Sequence, residues 1–142
     1  MAGGFGTTFA NDLQKLIFQA TAIANIADNA ASSPATNRYC SLHTASPSGG
    51  SQTTSEAAYP SYARVAVART SGGFGVSGAI TSLVALTSFP ASTGSPSEVH
   101  THFCYGTASS GTGKQLFWGT ITPNITMNAA GIPPQLTTST TD

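Results

Sequence analysis

The chain has 142 residues, with five Lys or Arg, five Asp or Glu and a formal net charge of zero. That length fits one domain, 1–142, with a modest core, and five scattered basic residues leave no electrostatic footprint for nucleic acid. Charged residues amount to only 7%, against roughly 25% in an average soluble domain, so a lone copy is poorly protected against self-association.

Residues 1–10, MAGGFGTTFA, read as an N-terminal arm without the basic and apolar regions of a secretory signal. A helix is expected over 11–27. Leu13, Leu16, Ile17, Ala20 and Ile23 recur at three- and four-residue intervals as one apolar stripe, and Asn11 or Asp12 suits the N-cap. The segment ADNAASSPATN then stops it, with Pro34 forbidding further helix. Two strands follow, RYCSLHT (38–44) and SYARVAVAR (61–69), on either side of a long turn-rich loop. The glycine cluster SGGFGVSG reads as a turn or bulge, and AITSLVALTSF (79–89) as another strand or pair.

Next, EVHTHFCYG (98–106) and KQLFWGTI (114–121) form a hairpin around a flexible loop, GTASSGTG. Short strands are expected at 124–127 and 136–138, the second within a C-terminal tail, 131–142. No window approaches the ~20 apolar residues of a membrane span. Roughly seven short strands between Gly, Pro and Ser clusters predict a mainly β fold. The expected form is an antiparallel β-sandwich, with a jelly-roll-like variant, carrying one N-terminal α-helix packed on a sheet or edge.

Several motifs tempt and fail. Gly73-Phe-Gly75-Val-Ser-Gly78 matches the dinucleotide fingerprint, but the β-branched, alternating AITSLVAL follows it where a helix should begin. The stretch from Ala108 to Gln115 falls short of a phosphate loop twice, at Ala108 and at Gln115. No Gly-x-Ser-x-Gly elbow occurs, and nothing places Glu56 beside Glu98 for paired-carboxylate chemistry. No enzymatic activity and no cofactor are expected.

His100, His102 and Cys104 are the candidates for a metal, since alternate strand residues share a face, and Cys40 with His43 could lie on an adjacent strand. Same-face neighbours on a strand stand ~6.6 Å apart, too far for one zinc with bonds of ~2.1 Å to engage all three. The expectation is therefore no metal, with His102 as a sheet residue and His43 as its polar neighbour across strands. Arg64 shares a face with Tyr62 and Ala66. If that face turns inward the guanidinium needs a carboxylate, and Glu56 is the nearest, as a clamp on the long loop or, alternatively, as part of a subunit contact. Exposed aromatics such as Tyr59, Tyr105 or Trp118 could stack on sugar, the basis of a carbohydrate- or host-surface-binding alternative.

In order, the chain carries Leu42-His43-Thr44-Ala45 with Pro47; Glu56 ahead of Tyr62-Ala63-Arg64; Thr101-His102-Phe103; and Trp118-Gly119 closing a hairpin. Over about residues 10 to 136 this pattern resembles a family of small virion structural proteins of tailed bacteriophages. Cys40, His100 and Cys104 depart from it, and Tyr59-Pro60 stiffens the approach to Arg64. The resemblance implies a non-enzymatic virion protein whose structural residues include Glu56, Arg64, His43, His102 and Trp118. The expected role is capsid decoration or cement. A tail, neck or fibre-attachment component is the alternative. Expected partners are further copies of itself, as a homotrimer, and the major capsid protein or another virion protein. Nucleic acid, membrane and small-molecule substrate are not expected. The tails could add strands to a neighbour.

Overall fold

The computed structural model describes residues 7–23 and 35–138. Its elements are α1 (Thr7–Gln19), β1 (Asn37–His43), β2 (Val65–Ala68), β3 (Phe74–Ser77), β4 (Ile80–Leu83), β5 (Thr87–Ser88), β6 (Glu98–Gly106), β7 (Gln115–Met127) and β8 (Gln135–Leu136). Among the described residues all strand pairs are antiparallel, and eight strands stand beside one helix, so the fold is mainly β. One four-stranded sheet, in the order β2-β1-β6-β7, organises the molecule, and the ribbons β3-β4 and β5-β8 accompany it. Among the described residues the layer that faces this sheet consists of the helix and the short ribbons, a sandwich-like arrangement.

Alternation along the strands gives the main sheet an apolar face and a polar face. Cys40 stands opposite Tyr105 and Leu42 opposite Phe103, and all four are buried on the apolar side. Phe18 of the helix and Phe74 of β3 close over them, with ring centroids 5.7 and 5.3 Å from that of Tyr105. Such edge-on aromatic pairs contribute ~0.5–1.5 kcal/mol each beyond their buried area. The polar side carries Ser41, His43, His102 and Cys104, and the loop between β1 and β2 covers it.

The helix starts at Thr7, earlier than the expected 11, so Asn11 lies inside it and caps nothing. It ends at Gln19 because Ala20 turns to φ +56°, a left-handed value; residues 24–27 of the expected helix lie outside the described residues, as do 1–6 of the arm. The docking face also differs from the apolar stripe. Asn11, Gln14 and Phe18 succeed one another at helical spacing and meet the β3-β4 hairpin. Two buried arginines secure the helix end. Arg38 and Arg69 both donate to the Ile17 carbonyl, at 3.1 and 2.6 Å, satisfying an acceptor that the last helical turn leaves open.

The glycine-rich segment expected as a turn or bulge is strand β3, paired with β4 through a two-residue turn. Gly78 and Ala79 both have positive φ, +60° and +63°, the signature of a tight hairpin turn. The expected strands at 114–121 and 124–127 merge into β7, whose register against β6 shifts between His100 and His102. Part of the C-terminal tail is likewise ordered, since Leu136 pairs with Thr87; residues 139–142 lie outside the described residues.

Candidate functional site

The polar face of the sheet holds the densest cluster of chemistry-bearing side chains. Arg64, just before β2, meets the Glu56 carboxylate in a two-pronged pair, Nε to Oε1 at 2.6 Å and Nη2 to Oε2 at 2.7 Å. The same guanidinium donates to the carbonyls of Ala108 and Gly111, at 2.9 and 2.8 Å. Bonding to Glu56 raises its pKa above the ordinary value, against the opposing effect of burial. The β6-β7 loop, expected to be flexible, is therefore held to the β1-β2 loop by one buried cation.

Tyr62 extends this network. Its hydroxyl donates to Glu56 Oε1 at 3.0 Å and accepts from the Leu42 amide at 3.0 Å, and burial followed by the Glu56 charge pushes its pKa up. Gln52, fully buried, supplies a second tie: its Oε1 accepts from the Ala108 amide at 2.9 Å. A Cβ at Gly106 would sit 1.9 Å from the Gln52 amide carbon, so the glycine is what admits that side chain against β6.

His43 and Ser41 lie deeper. His43 Nδ1 faces the Thr54 carbonyl at 2.8 Å, an acceptor, so Nδ1 carries the proton. Its Nε2 then accepts from Ser41 Oγ at 2.9 Å in the neutral ring. Burial is the largest influence on its pKa and lowers it. A serine beside an unprotonated imidazole nitrogen is the pairing of nucleophilic catalysis. Here both residues are 0% exposed beneath the loop, and Glu56, which would orient the ring in a triad, is bound to Arg64 and Tyr62. A substrate would have to displace the loop to reach the pair.

The structure does not bring His100, His102 and Cys104 together. His102 is opposite His43 in register and touches Trp118, with ring centroids 5.7 Å apart, while its Nδ1 is 2.8 Å from Thr101 Oγ1. His100 lies beyond the register shift, bonded to Glu98 at 3.1 Å and against Tyr59. Cys104 faces Ser41, where burial lifts its thiol to about 11. Among the described residues no three His, Cys, Asp or Glu side chains converge as a metal site. Cys40 is on the opposite face from Cys104, and both are free thiols.

The sugar-stacking aromatics need correction. Tyr59 and Tyr105 are 2% and 0% exposed, because both rings fill the core, while Trp118 is 40% exposed. Its indole nitrogen reaches the Gln115 amide oxygen at 3.3 Å once that amide is turned to donate to the Pro47 carbonyl at 2.8 Å. The residues missed in the sequence are Gln52, Arg38 and Arg69. Their signal was rarity: a charge or buried amide in a chain this neutral must have a partner.

A family model described as podophage GP4 fiber I protein gp80 matches residues 10–141. No curated protein matches the chain.

Proposed function

The chain belongs to the podophage GP4 fiber I protein gp80 family and is a structural protein of the phage virion, and on that premise we propose that it is a non-enzymatic subunit of the tail or fibre-attachment apparatus. One observation carries this reading beyond the family. The polar side chains that could do chemistry, Ser41, His43, Glu56 and Arg64, are all engaged in fixing two loops to one sheet face. A rigid block with a nearly uncharged exterior acts by fit against neighbours. Those neighbours are further copies, closing as a ring such as a trimer, and another virion protein.

Capsid decoration or cement is the second reading, since the same block would suit seams between capsid subunits. The fibre in the family's description favours the tail. Quantitative gels of purified particles separate the two. A few to a few tens of copies per particle supports the fibre or tail location, and hundreds would overturn it in favour of the capsid. Trp118, 40% exposed, is what a glycan-binding surface would use; binding on a glycan array that Trp118→Ala abolishes would add that role.

A further inference from the structure

The backbone register identifies groups on the outer strand β2 that point away from its neighbour β1. The Arg69 amide donates to the Thr36 carbonyl at 2.8 Å, so residues 36 and 69 form a hydrogen-bonded pair. Bonded and non-bonded pairs alternate in an antiparallel ladder. Pairs 38–67 and 40–65 are then bonded to β1, and the N–H and C=O of Ala66 point away from it. Strand β5 gives the same result. The Phe89 amide donates to the Pro134 carbonyl at 2.9 Å, which turns the N–H and C=O of Ser88 away from β8.

Ala66 and Ser88 both line one open cleft of about 260 Å³, together with the rest of β2, Leu83, Ala85, Leu86 and Thr87. Two strand edges bordering a cleft offer backbone partners on both sides to a single added strand. We propose that this cleft receives residues 1–6, MAGGFG, of a second copy of the chain. The added strand joins the four-stranded sheet to the β5-β8 ribbon. This deepens the reading of the chain as a self-assembling virion subunit, and it rests on that reading.

Three features select this occupant. Among the described residues no charged side chain lines the cleft, and MAGGFG has no charged side chain. Ala66, Ala68 and Ala85 leave little side-chain bulk at the walls, which suits Ala2, Gly3, Gly4 and Gly6, while Phe5 matches the exposed Leu86. Leu86 is 53% exposed. Length fits too, since six extended residues reach ~20 Å, more than the ~13 Å of β2, whose last carbonyl, that of Ala68, already accepts from the Thr70 amide.

The direction of the helix favours the arm of a second copy over the chain's own. Gln19 donates to the Phe74 carbonyl at 2.9 Å, next to Gly73 of the cleft, whereas Gln14 donates to the Ala79 carbonyl at 2.6 Å, at the far tip of the hairpin. From Gln19 back to Thr7 the helix rises ~18 Å. Residues 1–6 would spend their reach returning and have none left to lie along β2.

The test uses the full-length protein and light scattering after gel filtration. Phe5→Asp spoils the arm and leaves the cleft; Ala66→Pro removes the outward N–H and leaves the ladder to β1. The wild-type protein is expected to be oligomeric, and each variant alone a monomer with the wild-type circular dichroism spectrum. An equimolar mixture is expected at twice the monomer mass, because the Ala66→Pro arm enters the Phe5→Asp cleft and no further copy can add. Should Ala66→Pro unfold, Ser88→Pro blocks the opposite edge in its place. A monomeric wild type, an oligomer unaffected by Phe5→Asp, or a mixture that stays monomeric overturns the proposal. None of these results alters the copy number in particles, so the two readings fail separately.

Discussion

At the scale of single residues, Arg64 is the side chain whose loss reaches farthest. It joins Glu56 with side chains 2% and 14% exposed and also binds two carbonyls of the β6-β7 loop. Truncating one partner of a buried pair strands the other charge and costs ~3–5 kcal/mol. Arg64→Ala is therefore expected to lower unfolding free energy by that order in urea titrations. Arg64→Lys recovers only part of it, because an ammonium lacks the two-pronged fork. A loss below ~1 kcal/mol, the range of exposed pairs, would show that the pair is not structural. His43 makes a second prediction. Burial lowers its folded pKa, so the unfolded chain takes up a proton first, near ~6.5. Its contribution is intact above that pH and is lost as the pH falls through the lowered folded value. Melting temperature should drop between pH 7.5 and 5.5 in the wild type, with a flatter slope in His43→Gln; equal slopes would remove His43 from the account.

Among the elements, the helix and the β3-β4 hairpin show how backbone and side chains share one task. Ala79 stands at φ +63° because Asn11 accepts from its amide and Gln14 donates to its carbonyl. A left-handed L-residue costs ~1–2 kcal/mol, and glycine gives back part of that relief through its freer unfolded chain, ~0.5–1 kcal/mol. Ala79→Gly is thus expected to raise stability by ~0.5–1 kcal/mol, and Ala79→Val, β-branched at positive φ, to lower it; thermal melts of both variants check the order. The same contact explains what was legible in the sequence. Strands β1 and β6 stood out because aromatic and apolar residues alternate along them, and β6 runs over the expected 98–106. The helix face did not, since Asn11 and Gln14 dock through amides that no hydrophobic pattern marks. Strand β3 was hidden by its glycines, although Phe74 is fully buried. Arg64 beside Glu56 could be suspected from charge scarcity alone, whereas the two loop carbonyls that complete the clamp are backbone atoms and leave no trace in residue identity.

For the whole molecule, the decisive feature is where its few charges go. Of the five basic residues, Arg38, Arg64 and Arg69 are buried against carbonyls or a carboxylate, while Glu56 and Glu98 accept internal hydrogen bonds. Among the described residues the remaining charged side chains are Asp12, Lys15 and Lys114. A seam built on such a surface is made of backbone edges, hydroxyls and apolar patches such as Val84 and Leu86, which are 48% and 53% exposed. Screening separates this from an ion-pair seam, because the Debye length shrinks from ~10 Å at 0.1 M salt to ~3 Å at 1 M. Contacts between opposite charges weaken over that range; buried apolar area does not. Purified particles washed at 0.1 M and at 1 M sodium chloride are therefore expected to retain equal amounts of this protein, measured by quantitative gel. Release at the higher concentration would mean that the partner is held by charge, and that the neutral surface is not the one that binds.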